Sequence, residues 1–238
     1  MKAAVVGQEK GGVGKTTGVQ AMADAVPHAA VFELETSHRL LALGDRVTHF
    51  PARVDHQEVE RTGGLAQREA FDALINAIAT SPSSVIVDIG ANTSTAAFQA
   101  IGEVAPMLTE LGLQIGVVIV ATADPAAIAA AGQLMEIIRP WAVQRFLLEN
   151  QLYGPIPHRQ LREIGDGTTI TTLAHHALDP EAQSIVNAGG FSSIPLLDPS
   201  VLNQKFGLMR GLRIRRDLHK FRLAAMRAIE PAAVWLVS

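Results

Sequence analysis

The sequence contains no cysteine. A disulfide-stapled secreted fold is therefore excluded, and so is any metal site built on thiolates. Long apolar runs are also missing. The longest, such as IGVVIVATA at 115 to 123, fall well short of the ~18 residues needed to cross a bilayer. The N-terminal MKAAVVGQEK has too short an apolar stretch for a signal-peptide core, so a cytoplasmic location is expected. No internal repeat or low-complexity linker marks a boundary, and we expect a single domain over residues 1 to 238.

What is present is ordinary globular composition: 48% hydrophobic residues, 18% charged and a mean hydropathy of +0.21. A chain of 238 residues is long enough to bury roughly 70% of its unfolded surface in one core. The formal net charge of −3 conceals an asymmetry. Residues 203 to 238 carry eight Lys or Arg against Asp217 and Glu230, giving +6 there and −9 on the remainder. A basic tail on an acidic body points to a polyanionic partner or to a solvated helix face.

Short apolar runs alternate with helical patterns, which predicts an α/β protein with a mostly parallel twisted sheet flanked by helices. The expected strands are 2 to 7, 29 to 34, 84 to 89, 114 to 121, 143 to 148 and 191 to 197. The expected helices are 15 to 25, 65 to 79, 95 to 111, 125 to 138 and a long basic one from 199 to 229, with Gly207 and Gly211 as possible interruptions. Residues 36 to 63 and 150 to 190 read as loops with short helical pieces, and long loops in compact domains tend to be functional or mobile. Trp141 and Phe146 are expected in the core.

The segment from Lys10 to Thr16, KGGVGKT, satisfies the phosphate-binding pattern G-x-x-x-x-G-K-[ST] except that Glu9 replaces the first glycine. It follows a predicted strand and opens a predicted helix. Backbone N–H groups of Gly11, Gly12, Val13, Gly14, Lys15, Thr16 and Thr17 would then surround phosphate oxygens at a helix N-terminus. Lys15 would reach the β and γ phosphates of a nucleotide, and the Thr16 hydroxyl would ligate Mg²⁺. Asp88, ending the apolar VIVD at 85 to 88, would hold the cation's hydration shell from the carboxyl end of a neighbouring strand. Gly90 would let the backbone approach the terminal phosphate.

KGGVGKTT, Lys10 to Thr17, resembles the deviant Walker A motif of the ParA/MinD family of P-loop ATPases. That resemblance implies ATP and Mg²⁺ as ligands and a homodimer in which Lys10 reaches the partner's phosphates. It also implies a second carboxylate after the second strand, where the family usually carries Asp-x-Asp and this chain carries Glu33 and Glu35. Glu35 would help to place Mg²⁺ and the attacking water; the extra methylene puts efficient hydrolysis in question. Asn150 falls where the family recognises adenine, and IPLLDPSV, with Pro195 and Leu196, resembles the segment flanking the base.

The stretches DIGA at 88 to 91, AIGEVAPMLTELGLQIGVVIVATAD at 100 to 124 and LMRGLRIRRDL at 208 to 218 resemble the TraL-like proteins of conjugative transfer. A slow, partner-stimulated ATPase that positions plasmid DNA or transfer machinery, in conjugation or partition, is the implied role. A DNA-processing or secretion-system protein would be a further partner. Independently of that resemblance, Arg210, Arg213, Arg215, Arg216, Lys220 and Arg222 interleave with apolar residues at helical pitch and could neutralise DNA phosphates. The alternatives are a non-hydrolysing ATP-bound scaffold and a small-molecule P-loop kinase or ligase with its substrate pocket in residues 36 to 63. PAAVWLVS, from Pro231, lacks the flanking cations of a membrane-anchoring helix. His175 and His176 have too few carboxylates nearby to argue a metal site.

Overall fold

The computed structural model describes residues 1–52 and 65–238. Seven parallel strands form one sheet, in the order β3-β2-β4-β1-β5-β6-β7: β1 Lys2–Gly7, β2 Ala30–Glu35, β3 Val47–Pro51, β4 Val85–Ile89, β5 Gln114–Ala121, β6 Gln144–Asn150 and β7 Thr169–Leu173. The central strands β1, β4 and β5 are apolar and buried almost throughout, as a sheet covered on both faces requires. Buried residues divide into two clusters accordingly. One packs under α1 (Lys15–Ala25) and α8 (Leu208–Val237), the other under α2 (Leu65–Thr80), α3 (Ser94–Glu110) and α4 (Pro125–Ile138).

Local chemistry sets several helix starts. Asp124 accepts hydrogen bonds from the N–H groups of Ala126 and Ala127 at 2.8 and 3.1 Å, with Pro125 in the first turn. The same Asp-Pro start opens α6 (Pro180–Gly189) at Asp179 and α7 (Pro199–Phe206) at Asp198. The short α5 (His158–Ile164) lies between β6 and β7.

Three expectations need correction. The strand expected at 191 to 197 is a 3₁₀ turn, Phe191–Leu196, with Pro195 inside it; proline has no N–H to give a sheet ladder. Two strands fall in stretches read as loops, β3 and β7, both at sheet edges. Their half-exposed, polar character explains why no apolar run marked them. The basic helix does break at Gly207, as expected, where φ is 77° and ψ 154°, but α8 then runs past residue 229, its expected end, to Val237, through Pro231. Gly211 does not interrupt α8. It lets α7 cross closely, since a Cβ there would meet the backbone of Leu202 and Asn203 at about 3 Å. Residues 53–63 of the long expected loop lie outside the described residues. Among those described, no helix is long and apolar enough to cross a membrane. Phe146 is buried; Trp141 is half-buried and packs on Phe98, ring centres 6.2 Å apart.

Candidate functional site

The carboxyl ends of β1, β2 and β4 lie side by side, with β5 beginning the other half of the sheet. Ligands collect at such an edge, where successive connections diverge. The loop after β1 turns into α1 through Gly14, whose left-handed φ of 93° suits glycine. A side chain there would also strike the amide of Asn150, so the position excludes one on two counts.

Polar residues that the motif does not contain lash this loop down. Gln8 is fully buried; its amide donates to the carbonyls of Val120 and Ala127 at 2.8 and 3.0 Å and its oxygen accepts from Glu9 N–H at 2.8 Å. Glu9, standing where the pattern has glycine, accepts the N–H of Thr95 through its carboxylate and that of Asn92 through its carbonyl. Asn92 holds a left-handed φ of 62°, an uncommon conformation for a side chain and one that clusters near functional sites. Sequence reasoning missed Gln8 and Asn92 and named Glu9 only as a departure from glycine, which was the available signal.

Lys15 is buried, and its ammonium donates to the carbonyls of Gln8 at 3.0 Å and Lys10 at 3.4 Å. Burial pushes its pKa down, opposed chiefly by the charge of Asp88 and then of Glu35. Asp88 responds in the opposite sense. Burial raises it to about 7, against the pull of Lys15 and of the Thr16 hydroxyl, which donates to its carboxylate at 3.3 Å. A hydroxyl and a buried carboxylate short of positive charge form an oxygen donor set that fits Mg²⁺. Glu35 stands on the same edge, its carboxyl packed over Gly90. A Cβ at position 90 would lie 2.8 Å from that carboxyl, so any side chain there would displace it.

Lys10 does not line the cleft; its ammonium lies 3.9 Å from Asp124 at the start of α4. Glu33 is fully buried. It accepts N–H groups of Arg39 and Leu40 at 2.7 and 3.1 Å and meets the His38 ring, holding the loop after β2.

A cleft of about 340 Å³ runs from Gly11–Thr17, Glu35 and Asp88 towards the segment after β7. That far wall consists of Leu173 to His176, Leu178, Gln183 and Asn187 of α6, and Phe221 of α8. Asn150 also lines the cleft, and its amide donates to the Val13 carbonyl at 2.9 Å, bracing the glycine loop. Pro195 and Leu196 are not brought here: both are exposed on the 3₁₀ turn, Leu196 by 83%. His175 and His176 line the cleft, and no cluster of three or more metal-ligating side chains occurs among the described residues. Burial lowers the pKa of His176, whose ring lies 5.6 Å from that of Phe221.

No family model matches the sequence, and neither does any curated protein. Solved structures do. McdA of Cyanothece in its apo form gives a TM-score of 0.53 at 12% identity, over 92% of this chain and 99% of that one. An ATP complex of a McdA variant from Cyanothece gives 0.50 at 12% identity, over 94% and 96%. This chain has the MinD/ParA-type P-loop NTPase fold. The MinD cell division protein of Aquifex aeolicus is 19% identical over 92% of this chain and 96% of its own, with a TM-score of 0.49. The glycine loop, Lys15, Thr16 and Asp88 line one cleft at the carboxyl edge of the sheet.

The basic surface of α8 is partly spent on internal pairs. Arg210 grips Asp179 through two nitrogens, each at 3.0 Å, which lowers the pKa of the aspartate and raises its own. Arg222 holds Asp24 of α1 at 2.8 Å in a largely buried pair, and Arg216 pairs with its neighbour Asp217 at 2.9 Å. Arg213 and Lys220 are exposed and have no ion pair among the described residues; Arg215 is half-buried with its Nε unbonded there.

Proposed function

We propose that this chain is an ATP-dependent molecular switch: it binds ATP with Mg²⁺, dimerises face to face, and uses slow hydrolysis to cycle its grip on DNA or on a DNA-transfer partner. The convergence of Lys15, Thr16 and Asp88 at the mouth of the glycine loop carries this reading. The phosphates would lie on the loop N–H groups and the α1 N-terminus. Thr16 and Asp88 would hold Mg²⁺, which would shield charge on the phosphate oxygens. Lys15 would leave the Gln8 and Lys10 carbonyls for the β and γ phosphates, and Glu35 would orient the attacking water. The base would lie against Leu173 to His176 and α6, the apolar and amide-bearing end of the same cleft.

The fold match to an ATP-bound McdA supports ATP as the nucleotide. Lys10 would act only in the dimer, leaving Asp124 to meet the partner's phosphates. Arg213, Arg216 and Lys220 share one side of α8 and form the face we assign to DNA, with the half-buried Arg215 about 200° round the helix from Arg213, and the TraL-like sequence stretches favour plasmid transfer or partition as the setting.

Light scattering with ATP and Mg²⁺, with and without random duplex DNA, tests this alongside phosphate release. The mass should double in ATP and not in ADP, and DNA binding should weaken steeply with salt. Replacing both Arg213 and Lys220 with Ala should reduce the salt slope by about 2. A chain that stays monomeric in ATP and ignores DNA contradicts the switch. A stable ATP dimer without phosphate release would make it a nucleotide-locked scaffold.

A further inference from the structure

Arg39 has no role in the motifs, yet it lines the phosphate end of the cleft together with Lys15, Thr16, Glu35 and Asp88. Its backbone is fixed, because its N–H donates to the buried Glu33 carboxylate at 2.7 Å and the N–H of Leu40 donates to the same oxygen at 3.1 Å. Its side chain is far less committed. It is 56% exposed, and its Nε lies 3.7 Å from Glu35 Oε2, a single long contact rather than the two parallel bonds a guanidinium makes when it settles on a carboxylate. The terminal nitrogens of Arg39 make no hydrogen bond among the described residues. Its charge is felt at Lys15, whose pKa it helps to lower, so the two cations share one electrostatic space. The other nearby lysine, Lys10, is turned to Asp124 outside the cleft.

We propose that Arg39 is the cation with which one subunit reads the terminal phosphate of its own nucleotide. This deepens the nucleotide-switch reading and rests on it. The guanidinium would exchange its long contact to Glu35 for phosphate oxygens. The exchange frees the Glu35 carboxylate over Gly90, where it can orient water, while the Glu33 anchor keeps the backbone of the loop after β2 in place. A diphosphate offers no such oxygens, so Arg39 separates ATP from ADP rather than adding to the affinity for both.

Calorimetric titration of Mg·ATP and Mg·ADP into the full chain, as wild type, Arg39→Ala and Arg39→Lys, tests this. Arg39→Ala should lose about tenfold to a hundredfold in affinity for ATP and leave that for ADP within about twofold, as expected for charge-assisted bonds to one group. Arg39→Lys should recover part of the loss, retaining the charge without the fork. An ATP-to-ADP ratio unchanged in Arg39→Ala overturns the assignment, and so does an equal loss for both nucleotides, the mark of a merely structural role. A wild-type chain that binds neither nucleotide would instead remove the nucleotide reading itself.

Discussion

Replacing Lys15 with Ala is expected to weaken ATP binding by at least about a hundredfold, through loss of charge-assisted bonds to two phosphates. The fold should not suffer. In the ligand-free chain the ammonium is buried against two carbonyls and its pKa is depressed by burial, so folding carries a desolvation cost that the variant removes. Asp88 loses its chief opposing charge in the variant, which offsets that gain, so melting temperature should stay nearly level while nucleotide-dependent stabilisation disappears. Lys10→Ala should behave differently: its ammonium is half-exposed and, among the described residues, its salt bridge is to Asp124, so binding by the monomer should persist and turnover should fall. Nucleotide titration and thermal melts on the same preparations check both statements. Tight ATP binding by Lys15→Ala would place the phosphates elsewhere.

Asp88→Asn is expected to abolish the pH dependence of stability that this site contributes. The Asp88 carboxyl has an ordinary value of 3.8 and is raised by burial to about 7 in the fold. Between those values the folded chain keeps a proton that the unfolded chain has released. Its contribution to stability is thus fully present below about pH 4, falls as pH rises to about 7, and is lost above that. Asparagine imposes no such cost. Above pH 7 the variant should be more stable than wild type by an amount on the order of a few kcal/mol, trimmed because Lys15 loses its principal opposing charge. Mg²⁺ should act in the opposite sense: it favours the ionised carboxylate, so it should raise the wild-type melting temperature at pH 8 and leave that of Asp88→Asn unchanged. Melts from pH 4 to 9, with and without Mg²⁺, read out both effects. A wild-type curve that does not fall between pH 4 and 7 relative to the variant would show that Asp88 is ionised in the ligand-free fold.

The central part of the sheet was readable because its physics is local. A strand covered on both faces must be apolar along its length, and β1, β4 and β5 are. The glycine loop was readable because left-handed backbone at Gly12 and Gly14 demands that residue. Edge strands obey neither rule. TITTL in β7 is mostly threonine and half-exposed, and only its β-branched composition hinted at a strand. Helix α6 carried a plain start signal in Asp179-Pro180, the same pair that precedes α4 and α7, and it went unused. Missing β7 and α6 also misplaced the far end of the cleft. Pro195 and Leu196, expected to flank a base, lie outside the cleft, whose far wall is lined by the segment after β7.

The long-range hydrogen-bond partners of polar residues, including those of Glu33, which the sequence did single out, lay beyond sequence reasoning. Gln8 reaches carbonyls on β5 and α4 more than a hundred positions away, and Glu33 is buried only because the loop after β2 folds back over it. The charges on α8 were counted correctly, but a sequence shows no partners. Asp24 and Asp179 claim Arg222 and Arg210 from 198 and 31 positions away.

Direct calorimetric titration of ATP into the wild-type chain, with Mg²⁺ and with a chelator, tests the central claim most simply. The account predicts one ATP per chain, bound more tightly with Mg²⁺ than without. Binding that is absent in both conditions, or indifferent to Mg²⁺, would contradict it.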